Sequence, residues 1–232
     1  MNAPEYRLGA MLVQIYEVQT PEEAVALAQI GVDHIGLLVG EGAFPRELPA
    51  DRASAIYAAL PPETKRVALS LSPDRNEIAR IVEQTRPDII HIGAAVELFS
   101  LQDAQVLKAA FPKVRIMRAI PIVDEASIEC ARDYRGVADF LLLDSHDPGD
   151  KQIGARGRVH DWSISRRIVD EVGVPAILAG GLDADNVAAA IAAVRPAGVD
   201  SKTKTDRADG NGKDLDKVYR FVTAAKLTTS RQ

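Results

Sequence analysis

The stretch Phe140-Leu141-Leu142-Leu143-Asp144 sets four apolar side chains in a row and closes them with a carboxylate. A strand with one wet face alternates apolar and polar residues. An unbroken run instead marks a strand covered on both faces, as a parallel strand flanked by helices is. Seven further short apolar runs surround it. Met11 to Ile15, His34 to Val39, Arg66 to Leu71, Ile89 to Ile92 and Val114 to Ala119 precede it, and Ala176 to Ala179 and Gly198 to Asp200 follow. Longer segments of helical period separate these runs, which reads as repeated βα units.

Helix starts carry their own signals. Thr20-Pro21-Glu22-Glu23 offers a capping box, with Pro21 at the first helical position, where a missing N–H costs nothing. Ser72-Pro73 repeats that arrangement ahead of a stripe at Ile78, Ile81 and Val82, and Asp183 can cap a helix whose stripe is Val187, Ala190, Ile191 and Val194. Eight βα units fit either a closed barrel or an open doubly wound sheet. No G-x-G-x-x-G follows the first run, which disfavours a dinucleotide-binding sheet. The expected fold is therefore a (β/α)8 TIM barrel, as one domain over residues 1–232. The polar stretch Ser201 to Lys213, with Asp209-Gly210-Asn211-Gly212 inside it, is expected to be the most mobile loop.

Composition narrows the function classes. With 28 basic and 33 acidic residues, a formal charge of -5 and no basic block, the chain lacks a phosphate-neutralising stripe, and no nucleic-acid partner is expected. The single cysteine, Cys130, excludes an internal disulfide and fits a reducing compartment. Residues 1–10 lack a signal-peptide apolar run, and no segment approaches the roughly 20 apolar residues needed to cross a bilayer. The expectation is a cytoplasmic protein with no membrane partner, a monomer or homodimer, acting on a small anionic phosphorylated substrate.

Barrels of this type carry their chemistry at the C-terminal ends of the strands. The residues there are Tyr16 and Glu17, Arg46, His91, Arg118, Asp144, the Gly154 to Arg158 loop, Gly180-Gly181, and Lys202 to Asp206. Asp144, closing an apolar strand, reads as a general acid with a pKa raised by desolvation, or else as a loop cap or a partner of Arg156 or Arg158. Ala179-Gly180-Gly181-Leu182 lets backbone N–H groups approach a phosphate, or simply supplies the glycine conformations of a helix-entry turn. Lys202 and Lys204 in the next loop tilt the reading toward an anion site. Arg46 could grip a carboxylate bidentately, or be a solvated loop residue. Glu17, His91 and Asp144 lack the spacing of a metal motif, so no metal is expected. His34 and His160 read as structural, and Cys130 as a small core residue.

Taken in order, these motifs resemble phosphoribosylanthranilate isomerase. The resemblance is carried by Leu141 to Asp144, Gly154-Ala155-Arg156-Gly157 before Asp161-Trp162, and Leu178 to Leu182 with Asn186-Val187. Gly198-Val199-Asp200 and Gly212-Lys213-Asp214 continue it. The N-terminal half is similar more loosely through Val13-Gln14-Ile15, Thr20 to Ala28, and Phe44-Pro45-Arg46 in place of serine-proline-arginine. The resemblance implies a barrel without cofactor or metal and a place in tryptophan biosynthesis. It also implies an Amadori rearrangement in which a base removes the sugar C2 proton and an acid assists ring opening. Asp144 matches the general acid, Arg46 the group that binds the anthranilate carboxylate, and Gly180-Gly181 part of the phosphate cradle.

The site departs from that pattern. The family's first strand ends in lysine-x-cysteine-glycine, with the cysteine as base, whereas this chain reads Gln14-Ile15-Tyr16-Glu17. Tyrosine is a poor base unless a cation such as Lys202 lowers its pKa. Glu17 would have to turn inward, although one step along a strand reverses side-chain direction. Glutamine-leucine-histidine-glycine after the fourth strand is here His91-Ile92-Gly93-Ala94, Ser201 to Asp206 replaces a small glycine-containing phosphate loop, and Arg156 replaces a small hydroxyl residue. The expected site therefore has Asp144, Glu17 and His91 as acid/base groups, and Arg46, Tyr16 and Arg156 against the substrate. Gly180, Gly181, Lys202, Thr203 and Lys204 surround its phosphate. The expected reaction is an aldose–ketose type isomerisation of a phosphorylated or carboxylated sugar-like substrate. The alternatives are a phosphoribosylanthranilate isomerase with a substituted base, a Schiff-base lyase using Lys202 or Lys204, and a non-catalytic sugar-phosphate binder.

Overall fold

A computed structural model describes residues 11–146 and 160–229. Eight strands, β1 (Leu12–Tyr16), β2 (His34–Leu38), β3 (Lys65–Ser70), β4 (Ile89–Ile92), β5 (Arg115–Ile122), β6 (Phe140–Ser145), β7 (Ala176–Leu178) and β8 (Gly198–Ser201), pair in parallel in chain order. β1 also pairs with β8, so the sheet closes into a barrel. The helices α1 (Pro21–Ile30), α2 (Ala50–Ala58), α3 (Arg75–Thr85), α4 (Leu101–Ala110), α5 (Ala126–Asp133), α6 (Trp162–Val172), α7 (Val187–Val194) and α8 (Leu215–Thr229) alternate with the strands. This is the (β/α)8 fold expected from the eight apolar runs. Among the described residues no helix is long and apolar enough to cross a membrane.

Local chemistry explains where the helices begin. Thr20 caps α1 by accepting from the Glu23 N–H, with Pro21 in the first turn, but the Glu23 carboxylate reaches back to the Gln19 N–H at 2.8 Å rather than to Thr20. α3 starts later than Ser72-Pro73 suggests: Asp74 is its cap, and the Ser72 hydroxyl donates to Glu77 at 2.6 Å. Asp183 caps a turn, accepting from the Asp185 and Asn186 N–H groups, and α7 follows at Val187.

Register sorts the strand residues into two faces, because paired residues point the same way and neighbours along a strand point opposite ways. One face packs under the helices through residues such as Val13, Ile35, Ile90, Ile116, Leu141, Leu143, Leu178 and Val199. The other fills the barrel with Tyr16, Val67, Ile89, Met117, Phe140, Leu142, Ile177 and Ala179. Each fully buried Leu, Ile or Phe of this kind contributes on the order of 1.5 to 3 kcal/mol relative to exposure.

The stretch expected to be the most mobile loop is tied down at both ends. It forms a 3-10 turn at Thr203–Thr205 and a bridge between Asp206 and Lys213. The Lys213 side chain is completely buried and donates to Asp206 Oδ1 at 2.6 Å and to the Lys202 carbonyl at 3.0 Å. Turn-forming composition marked a loop correctly, but a lysine inside it supplies the anchor.

Tyr16 fits inside the barrel because its neighbour across the β1–β2 pair is Gly36. A Cβ on Gly36 would lie 2.1 Å from the Tyr16 ring. Gly36→Ala is therefore expected to cost about 1–3 kcal/mol through overpacking. Tyr16→Ala in the same chain should make that substitution nearly neutral. Urea unfolding of the two single variants and the double variant measures the coupling, and additive effects would show that the ring and Gly36 do not compete for space.

Candidate active site

The C-terminal mouth of the barrel opens into a cavity of about 270 Å³ lined by Tyr16, Glu17, Phe44, Arg46, His91, Asp144, Asp200 and Lys202, with Leu38, Leu69, Leu71, Leu142 and Pro45 as its apolar wall. A smaller notch adjoins it, walled by Gly180, Gly181, Leu182, Ser201, Thr203 and Lys204 and sharing Asp144, Asp200 and Lys202 with the cavity. Most of the residues expected from sequence thus converge on one place. Arg156 and the rest of the Gly154 to Arg158 loop lie outside the described residues.

Two residues at the mouth sit in left-handed backbone, Glu17 at φ 60° and Arg46 at φ 65°. For a residue with a Cβ this costs roughly 1–2 kcal/mol, and both are held by neighbours. The Gln19 amide donates to the Arg46 carbonyl at 3.0 Å, and the Glu47 carboxylate accepts from the N–H groups of Gly42 and Ala43 at 2.7 and 2.6 Å, shaping the loop before Arg46. The left-handed turn is what aims Glu17 inward directly after inward-facing Tyr16, a step regular strand geometry forbids. Its carboxylate then lies 3.3 Å from Arg46 Nε and 3.2 Å from Lys202 Nζ. Arg46 also donates to the Glu17 carbonyl at 2.7 Å and to Asp206 at 3.0 Å.

Tyr16 and His91 form a buried pair, with phenol oxygen and Nδ1 2.6 Å apart. Burial first, then the charge of Asp200, pushes the Tyr16 phenol well above its usual pKa of 10, so it stays protonated and is no base at neutral pH. Lys202, the cation that could have lowered it, is taken up by Glu17. Burial, with help from Arg118, lowers His91 to about 3, so its ring is neutral. The phenol is assigned as donor to Nδ1, because sulfur of Met117 at 3.8 Å is the weaker acceptor. The His91 proton then sits on Nε2, which has no protein partner among the described residues and belongs to a side chain lining the cavity.

Asp200 was not singled out by sequence reasoning as a site residue. It faces inward at the end of β8, paired in register with Gln14, whose amide donates to Oδ1 at 3.2 Å. The amide is oriented from its other side, where the His34 ring nitrogen Nδ1 lies 3.1 Å from Gln14 Oε1. Burial, then the negative charge of Asp144, pushes the Asp200 carboxyl up to about 8, against smaller downward pulls from the Gln14 hydrogen bond and Lys213. Asp144, at the end of β6, accepts from the Ser145 N–H at 2.7 Å and its hydroxyl at 3.3 Å. Two carboxyls lining one cavity, one of them pushed up by burial, are the equipment of acid–base chemistry.

At the notch, Gly180 and Gly181 both have positive φ, 89° and 64°, so the turn requires glycine whatever it binds. Asn186 donates to the Gly181 carbonyl at 3.0 Å and the Ser201 hydroxyl to the Leu182 carbonyl at 2.8 Å, which fixes the wall. Among the described residues Lys204 forms no ion pair, in contrast to Lys202. Arg118 does not join the site. It points outward from β5, donates to the Ile92 and Ala94 carbonyls at 2.8 Å each, and lies over the Tyr134 ring. His160 bonds Ser165 at 2.7 Å, away from the cavity. Among the described residues no group of three or more His, Cys, Asp or Glu side chains is arranged to hold a metal ion.

Comparison with known proteins places this geometry among relatives. The family described as N-(5'-phosphoribosyl)anthranilate (PRA) isomerase matches residues 13–224. The N-(5'-phosphoribosyl)anthranilate isomerase of Methanocella arvoryzae is 37% identical over 216 residues, which is 93% of this chain and 98% of that protein. The TrpF structure from Jonesia denitrificans superposes with a TM-score of 0.76 at 25% identity, covering 96% of this chain and 100% of its own. A phosphoribosyl anthranilate isomerase structure in complex with reduced 1-(o-carboxyphenylamino)-1-deoxyribulose 5-phosphate shares the fold at a TM-score of 0.74 and 24% identity, over 93% of this chain and 98% of that one.

Lys213 holds the mouth together through Asp206, whose second oxygen takes Arg46. Burial pushes the Lys213 amine down in pKa while Asp206 pulls it back up. Lys213→Met fills the space but leaves Asp206 short of one charge partner, and breaking such a pair typically costs about 3–5 kcal/mol. Denaturant unfolding should show a loss of that size. A change within about 0.5 kcal/mol, the level of an ordinary surface substitution, would remove the lysine from this role.

Proposed function

Since this chain belongs to the N-(5'-phosphoribosyl)anthranilate (PRA) isomerase family, we propose that it is an isomerase that shifts a proton along a phosphorylated, sugar-like substrate, using Asp144 and Asp200 as its acid–base pair. The observation that carries this reading is the Asp200 carboxyl, buried beside Asp144 at the cavity floor and raised to about 8. At neutral pH the Asp200 carboxyl, raised to about 8, keeps its proton in the ligand-free site.

An aldose-to-ketose rearrangement of an aldosylamine needs two transfers. One carboxyl of the pair protonates the ring oxygen, the C1–O bond breaks, and the nitrogen lone pair forms a C1=N iminium. The carboxylate takes the C2 proton, the C–H electrons form an enolamine, and a proton returned to C1 as the C2 hydroxyl gives up its own leaves the ketone. No oxidant or reductant is required. The neutral His91 Nε2–H is a donor for the sugar ring oxygen, which gains charge as the C1–O bond breaks, and Tyr16 holds the imidazole in that tautomer. Gly180, Gly181, Thr203 and Lys204 line the place for the phosphate. Glu17 is bound by two cations and does not serve as the base in this scheme. A half-buried, unpaired Cys130 suits the reducing interior of a cell.

The test is turnover of N-(5'-phosphoribosyl)anthranilate and of its carboxylate-free counterpart N-(5'-phosphoribosyl)aniline, each formed from ribose 5-phosphate and the amine. Turnover of either compound should drop by about 10² to 10⁴ in kcat in Asp144→Asn and in Asp200→Asn, with smaller effects on KM. The wild-type rate should fall as pH rises through about 8, where Asp200 loses its proton, and Asp200→Asn should lack that limb. Full activity in either variant would refute the pair, and no turnover of either compound would retire the reaction.

A further inference from the structure

Charge around the cavity is already spoken for on one side and open on the other. Among the described residues, Arg46 and Lys202 are the two cations lining the cavity, and one oxygen of Glu17 lies within 3.3 Å of both. Arg46 is further matched by Asp206. Lys204, in the notch, is the cation of this region to which no carboxylate is paired among the described residues. The remaining titratable groups of the cavity among the described residues are the carboxyls Asp144 and Asp200, the Tyr16 phenol and the neutral His91 ring. A second anionic group placed on a ligand in the cavity would meet carboxyls on its floor and would have to displace Glu17 to reach Arg46 or Lys202.

Glu17 is well built for staying where it is. It is 8% exposed, its carbonyl accepts from the same arginine, and its left-handed backbone is what turns the side chain toward the two cations. We infer that Glu17 is a built-in carboxylate occupying the seat between Arg46 and Lys202 that a ligand carboxylate would otherwise take, so that this protein selects a sugar phosphate whose other half carries no carboxylate. The phosphate goes to the notch, and the remainder in the cavity is an amine-linked, hydroxyl-bearing or aromatic group held by the apolar wall, His91 and the carboxyl pair. Glu17 is thereby the specificity-determining residue. This inference rests on the sugar-phosphate reading of the same site.

The experiment compares two stable ligands that differ in one group: reduced 1-(o-carboxyphenylamino)-1-deoxyribulose 5-phosphate and the corresponding phenylamino compound. Titration calorimetry gives Kd for each with the wild type, Glu17→Gly and Glu17→Gln. Glycine adopts the left-handed conformation without strain, so the first variant should fold, and the second keeps the side-chain volume without the charge. The wild type should bind the carboxylate-free compound at least about tenfold more tightly, the size of a single unmatched charge contact. Glu17→Gly should reverse that order by gaining affinity for the carboxylated compound, with Glu17→Gln between. Equal or tighter binding of the carboxylated ligand by the wild type overturns the inference while leaving the sugar-phosphate reading intact. A preference unchanged in Glu17→Gly overturns the role of Glu17. Binding of neither compound to the wild type removes the reading of the site and the inference with it.

Discussion

The hydrogen-bonded seam between β1 and β8 is the constraint on which the site depends. Without it the eight strands would form an open sheet, and residues at its two edges would lie far apart. With it, Gln14 pairs in register with Asp200, and Tyr16, Glu17 and Lys202 come to the same side of the mouth. Closure also removes water from the interior, because Met117, Phe140, Leu142 and Ile177 fill the space below. A carboxyl at the top of such a plug is solvated on one side only, which is why Asp200 titrates far from an ordinary aspartate. The hydrophobic filling that stabilises the barrel and the chemistry at its mouth therefore have one cause.

Around that floor runs a continuous chain of charge. Lys202 meets Glu17, Glu17 meets Arg46, Arg46 meets Asp206, and Asp206 meets the buried Lys213. Each cation shares its carboxylates, so the chain behaves as a strap binding the loops after β1, β2 and β8 to one another. Its two ends differ in exposure. The Lys213 end is sealed from solvent, where electrostatic interactions are strong and unpaired charge is costly, while the Lys202 end borders the cavity, where a ligand can compete. Stability is concentrated at one end of the strap and selectivity at the other.

How much of this was legible in the sequence follows from which signals are local. The barrel was legible because hydrophobic period is a local property: every one of the eight apolar runs became a strand, with ends shifted by a residue or a few, as at β5, which runs on to Ile122. The mouth was legible because strand ends follow from strands, so Glu17, Arg46, His91, Asp144 and Gly180-Gly181 could be placed there by position alone. The orientation of Glu17 was not, since alternation along a strand predicts that it points away, and only its positive φ reverses that. The value of Asp200 was not legible either, because it depends on a neighbour 56 positions earlier in the chain, counted from Asp144 to Asp200, and on burial by residues from other strands. Lys213 was read as part of a loop motif, yet its partner lies seven residues upstream across a bridge that no turn composition announces.

The two departures in the first strand make sense together. A lysine at position 14 would place an ammonium opposite the carboxyl of Asp200 and hold it ionised. Glutamine offers only a neutral amide, oriented by His34, whose own ring is kept neutral by burial that lowers it to about 3. The column His34, Gln14 and Asp200 therefore brings no positive charge to the floor, and the proton that a lysine would have displaced remains on Asp200. At position 16 a thiol that could ionise to a thiolate is replaced by a phenol whose pKa burial pushes well above its usual value. In the proposed reading, a site that loses its base at one strand position and the cation beside a carboxyl two residues earlier keeps its ability to move protons. On that reading the titrating group moves from β1 to the far side of the seam, from a cysteine-type base to a carboxyl whose proton is set by its surroundings.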